Sequence, residues 1–92
     1  MSTLLKQESK YSEFTEYPLP SGVSECLVQN QSSPQMGVFV YVGTSQPSAD
    51  EEGMLVRDWM TFPVAGGEKL FHRAQYEVHP VVNSAYIRVT VA

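Results

Sequence analysis

Positive charge is scarce in this sequence. Six of its 92 residues are Lys or Arg, against ten Asp and Glu, which gives a net charge of -4. Nucleic-acid binding needs a basic patch that displaces counterions from phosphates, and six scattered cations supply none. Charge of either sign is thin. Charged residues make up 17% of the chain, below the ~25% of ordinary globular domains. The surface is therefore rich in neutral groups, which suits cover by a partner. Cysteine is nearly absent: Cys26 alone excludes an internal disulfide and fits folding in a reducing compartment. No apolar run approaches the ~18 residues of a helical membrane span. Met1 to Glu8 lack the basic-then-apolar order of a secretory signal. The sequon Asn30-Gln31-Ser32 is therefore expected to stay unmodified. Length is short as well. A chain of 92 residues makes one domain, too small for a barrel enzyme or a doubly wound nucleotide fold. Its core is barely sufficient, so oligomerisation or partners would add stability.

What is present favours a folded chain. Hydrophobic residues are 42% and aromatic residues 11%, enough to build a core. Met1 to Pro20 read as an N-terminal arm. Leu4, Leu5, Tyr11, Phe14 and Tyr17 stand isolated among Ser, Thr, Glu and Lys. A helix through Leu4, Leu5, Glu8 and Tyr11 has a thin apolar face, and Ser9, Ser12 and Thr15 weaken it. An extended arm with Tyr11, Thr15 and Tyr17 on one side fits equally. Pro18 and Pro20 end the segment. The arm is expected to dock on a neighbouring subunit or on the side of the domain, because five large apolar groups are costly to leave in water. The plainer alternative is a frayed terminus.

Residues 21–92 read as β-structure. Val23 to Gln29 is the first strand, followed by the polar break Asn30 to Pro34. In Met36 to Val42, Val38, Val40 and Val42 share one face, and Phe39 and Tyr41 the other. Apolar groups on both faces indicate a central strand, or one face in the core and one in an interface. Gly43 to Gly53 is a loop, in which Ser48 and Glu51 leave room for at most one helical turn. Met54 to Arg57 is short and β-like. Trp59 and Thr61 lie opposite Met60, Phe62 and Val64. Ala65 to Glu68 reads as the turn of a hairpin returning through Lys69 to Gln75. Tyr76 to Asn83 is irregular, interrupted by Pro80. In the last strand Ala85, Ile87, Val89 and Val91 face inward, and Tyr86, Arg88 and Thr90 outward. Short strands with frequent turns and no convincing helix indicate an all-β fold: a small antiparallel β-sandwich or partly open barrel.

Chemistry is hard to place on these residues. There is no G-x-S-x-G or C-x-x-C motif, and Cys26 in a β-run reads as a buried structural thiol. His72, Glu77 and His79 match no standard zinc spacing. His72 shares a face with Leu70 and Ala74 and reads as a packed or interface histidine; buried in an interface, it would loosen that contact near pH 6. Asp50-Glu51-Glu52 lack the alternating spacing of a calcium loop. Gly66-Gly67 lack the Lys and helix of a phosphate loop. No enzyme activity, metal or cofactor is expected. Phe39, Trp59 and Phe62 are expected to fill the core. Aromatic residues with Arg are the types that anchor protein interfaces. The expected interface set is Leu4, Leu5, Tyr11, Phe14, Tyr17, Arg73, Tyr76, Tyr86 and Arg88.

Residues 36–92 resemble a small β-domain of virion proteins from tailed bacteriophages. The likeness lies in a strand ending at Val42-Gly43, a Pro-containing loop over 44–49, the stretch Gly66-Gly67-Glu68-Lys69-Leu70-Phe71-His72-Arg73-Ala74, and the terminal run Ser84 to Val91. The resemblance implies a capsid decoration (cement) protein or a tail- or head-fibre component. It implies a location in the virion after synthesis in the host cytoplasm. The implied partners are further copies of the chain, with a trimer favoured, and the major capsid protein. A carbohydrate or receptor module, with Trp59 or Tyr76 stacking on a sugar, is the second reading.

Overall fold

Alternation of apolar and polar side chains divides the chain into short strands. The computed structural model describes residues 2–79 and 82–91. Its strands are β1 (Ser2–Thr3), β2 (Gln7–Glu8), β3 (Thr15–Tyr17), β4 (Glu25–Asn30), β5 (Val38–Gly43), β6 (Met54–Val56), β7 (Trp59–Pro63), β8 (Lys69–Ala74) and β9 (Tyr86–Val91). One sheet has the order β1-β9-β4-β7, with β2 also on β9; the other has the order β3-β8-β5-β6. Every pairing is antiparallel. The two sheets pack as a small β-sandwich, and neither closes into a barrel. The break expected at Pro80 lies outside the described residues, as do Met1, Val81 and Ala92.

The inward stripes follow the two-residue period. Cys26 and Val28 of β4, Val38 and Val40 of β5, Leu70 of β8, and Ile87, Val89 and Val91 of β9 form one core with Tyr17, Val56, Phe62 and Val64. Val28, Val38, Leu70, Ile87 and Val89 expose no surface, and each such burial contributes ~1.5–3 kcal/mol. β5 and β9 keep the phases their sequences set. Asn30 ties the sandwich at one end: its Nδ2 donates to Met36 O at 2.8 Å and Val56 O at 3.0 Å, while its Oδ1 accepts from Ser32 N at 2.9 Å. The sequon's amide is thus fully engaged.

Two expectations are corrected here. First, β7 and β8 are not a hairpin. They lie in different sheets, and Ala65 to Glu68 carries the chain across the sandwich. The turn closes with Glu68 N donating to Ala65 O at 3.0 Å, and positive φ falls on Gly67 but not on Gly66. A turn with positive φ only at its third position does not match the strand twist as the primed hairpin turns do. Phe62, Val64 and Leu70 then face one another across the core instead of sharing a sheet. Second, Trp59 does not fill the core. It is 66% exposed, while Phe39 is half-buried and Phe62 is buried. Trp59 shares the outer phase with Thr61, and that phase outweighs its size. The segment 2–17 docks on the side of the domain, one of the two destinations expected of the arm. It supplies edge strands to both sheets, β1 and β2 to one and β3 to the other.

Around Ser48 to Glu51 a single turn forms, with Glu51 N donating to Ser48 O at 3.0 Å. Gln46 Nε2 in the same loop donates to Phe14 O at 2.7 Å, fastening the loop over the outer face of the β3-β8-β5-β6 sheet. The loop returns through Gly53, where a Cβ would come within 2.5 Å of Val40 O. Only glycine permits that approach to β5.

Candidate interaction surface

Most of the expected interface residues are engaged within the chain. Phe14 is 1% exposed. Its ring meets Tyr41 edge-on at 6.3 Å, and Tyr41 in turn meets Phe71 at 6.5 Å. Arg73 lies over the rings of Phe39, Phe14 and Tyr11 at 5.1, 5.5 and 5.8 Å, within cation–π range. Its Nη1 also donates to Tyr11 O at 3.2 Å. Tyr17 is buried in the main core and donates its hydroxyl to Leu5 O. Burial pushes that phenol up from its ordinary pKa. Lys6 stands 4.7 Å from the centroid of Tyr86. Leu4 packs on the core, and Leu4 N donates to Val89 O at 2.7 Å. Phe14, Tyr17, Arg73 and Tyr86 thus hold the arm to the side of its own domain, one of the two destinations expected of it. The aromatic groups found a core inside the molecule because β5 and β8 present Tyr41 and Phe71 on an outer face that needs cover.

His72 is the polar member of this packing, and sequence reasoning missed its partners. It exposes no surface, and neither does Ser9. Its Nε2 lies 2.5 Å from Gln7 Oε1 and its Nδ1 2.5 Å from Ser9 Oγ. A neutral ring satisfies both contacts, donating through Nε2–H and accepting the Ser9 hydroxyl at Nδ1. Tyr17 meets the ring edge-on at 6.2 Å. Burial lowers the His72 pKa from 6.5 to about 4. The expected loosening of an interface near pH 6 is therefore corrected: the ring sits in the chain's own core, and it protonates only in much stronger acid. A polar residue in the stripe Leu70-His72-Ala74 was the available signal, since a buried imidazole requires two partners.

Other candidate groups stay apart. Cys26 is buried, and burial followed by the Glu25 charge pushes its thiol up to about 11. Asp50 is held below its ordinary value by the Ser48 hydroxyl, which donates to Oδ1 at 2.8 Å. Among the described residues, no three His, Cys, Asp or Glu side chains gather as a metal site. The ion pairs Lys10–Glu13 at 3.4 Å and Lys69–Glu16 at 4.0 Å are exposed and weak.

Two outward regions remain. On the arm side, Leu5 is 85% exposed beside a cleft of about 550 Å³ lined by Leu4, Tyr17, Pro18, Leu19 and Pro20. At the opposite end of the sandwich, Trp59 on β7 and Met54 on β6 are exposed, the latter by 56%. Met54 shares a groove with Phe62 and Pro63. Tyr76 is exposed in the β8–β9 connection, and Arg88 is half-buried on the outer face of β9. No protein-family model matches the chain, and neither the curated proteins nor the solved structures yielded a match.

Proposed function

We propose that the protein is a non-enzymatic structural component of a virion, a capsid decoration (cement) protein of a tailed phage, which binds neighbouring capsid subunits and further copies of itself. The observation that supports this reading is the placement of large apolar side chains in water. Leu5 lies on one side of the sandwich, Trp59 and Met54 on the opposite side, and Tyr76 in the connection between β8 and β9. An enzyme gathers its contacts in one concave site, whereas a part of an array is gripped from several sides. The virion setting comes from the strand-and-turn likeness of residues 36–92. The cleft beside Leu5 is the capsid-facing element, because it offers an extended apolar segment a place beside the edge that the arm's backbone forms. Cosedimentation of the purified protein with capsids of the phage that encodes it tests this. Saturable binding that Leu5→Asp abolishes is the expected result; Leu5 lies outside the core, so the fold survives. Absence of saturable binding refutes the reading.

One observation favours a second reading. Register places Trp59 opposite Gln29, and Gln29 opposite Arg88. An aromatic ring, an amide and a guanidinium thus form a row on one sheet face, a combination that suits a carbohydrate. Glycan-array binding lost in Trp59→Ala, with the fold intact, supports this alternative, and an empty array removes it.

A further inference from the structure

We propose that the free edge of β7 pairs antiparallel with β7 of a second copy, joining the two β1-β9-β4-β7 sheets across a twofold axis. This deepens the assembly reading by naming the surface through which copies meet.

The backbone sets the contact. Asn30 N donates to Asp58 O at 2.8 Å, and Val64 N donates to Ser24 O at 2.9 Å. Hydrogen bonding alternates along an antiparallel strand. Residues 58, 60, 62 and 64 therefore turn their backbone groups toward β4. Trp59, Thr61 and Pro63 turn theirs away from it, at the end of the sheet. Such an edge is a template for another strand unless charge, proline or cover protects it. The opposite edges are protected: β1, β2 and β3 have two or three residues each, and Glu8 and Glu16 lie within them. β7 has five residues and no charge, and its Pro63 stands at the last position.

The edge is also complementary to itself. Full overlap of two β7 strands puts Thr61 opposite Thr61 of the second copy. Thr61 then exchanges two backbone bonds with its counterpart. Trp59 N–H finds Pro63 C=O twice, while the two return bonds to Trp59 C=O are not made because Pro63 has no N–H. The exposed Trp59 ring falls beside the exposed Pro63 ring on the shared outer face. Arg57, just before the strand, comes level with Ala65, just after the other strand. Glu68 stands there, its Oε1 accepting from Ala65 N at 2.8 Å. Opposite charges thus meet at both ends. Met54, exposed on β6 next to Phe62 and Pro63, lies at the same side of the sandwich as this edge.

A contact of this kind is isologous and closes as a dimer. Thr61→Cys tests the register. Hydrogen-bonded antiparallel partners have Cα atoms about 5.5 Å apart, within disulfide reach. Under mild oxidation, Thr61→Cys should cross-link into a covalent dimer. Glu25→Cys, exposed one strand inward, should not. The native Cys26 is buried and stays out of the reaction. In native mass spectrometry the unmodified chain should be dimeric at micromolar concentration. Thr61→Lys should weaken the dimer by about tenfold or more in Kd, and Thr61→Ser should leave it unchanged. A monomer, a trimer insensitive to Thr61→Lys, or equal cross-linking at positions 25 and 61 overturns the proposal. Capsid cosedimentation by a monomer would sink the pairing and spare the assembly reading. A Thr61-dependent dimer that ignores capsids would do the reverse.

Discussion

Acid should destabilise this protein through His72, and the size of the effect follows from where the ring sits. The folded ring has a pKa of about 4, against 6.5 for an ordinary histidine. Above pH 6.5 the ring is neutral in folded and unfolded chains alike, and stability is at its full value. As pH falls below 6.5 the unfolded chain takes up a proton that the folded chain refuses, so unfolding gains. The loss proceeds at up to about 1.4 kcal/mol per pH unit and ends near pH 4, where both states are protonated. The total is about 3 kcal/mol, a large share of the stability of a small domain. The Ser9 and Gln7 oxygens could still accept bonds from an imidazolium, so the penalty is removal of charge from water rather than loss of partners. Carboxylates titrate over part of the same range, and a His72→Gln variant separates them. Urea unfolding of both proteins from pH 7.5 to pH 4 should show the native chain losing about 3 kcal/mol more than the variant across that window. Parallel pH profiles would refute the burial argument.

Other substitutions probe the packing directly. Phe14→Ala should cost ~3–5 kcal/mol in denaturant unfolding, because it empties the space against Tyr41 and removes a ring under Arg73; a cost below ~1 kcal/mol would place Phe14 at the surface. Gly53→Ala should lower the melting temperature although it adds only a methyl group, since that carbon meets Val40 O on β5. An unchanged melting curve would contradict the close approach. The Cys26 thiol should resist a thiol reagent at pH 8 until denaturant is added; labelling of the native protein within minutes would show that β4 opens.

Much of the fold was legible from alternation alone. The stripe of Ala85, just before β9, and Ile87, Val89 and Val91 within it requires one buried face, and the structure gives it one. The β5 strand, apolar on both faces, lies between β8 and β6, with its outer face beneath the arm and the 44–53 loop. Local pattern could not say which sheet a strand joins. Ala65 to Glu68 reads as a hairpin because a Gly-Gly pair permits several turn geometries, and one φ value separates pairing from crossing. Size alone suggests a core place for Trp59, but its phase with Thr61 puts it outside. The arm's destination depends on contacts far apart in sequence: Ser9 with His72, Phe14 with Tyr41, Lys6 with Tyr86. Aromatic residues and Arg73 suit an interface, and here the arm and the sheet they join belong to the same chain.

Amide hydrogen exchange of the 92-residue chain tests that claim most directly. Leu4 N and Ser9 N donate to Val89 O and Ala85 O at 2.7 and 2.9 Å. If residues 2–17 are strands of the sandwich, both amides should be protected in dilute solution with no partner present, and they should lose protection below pH 6.5 as His72 destabilises the fold. Exchange at the rate of a free chain would instead mean that the segment is an unattached arm awaiting a partner.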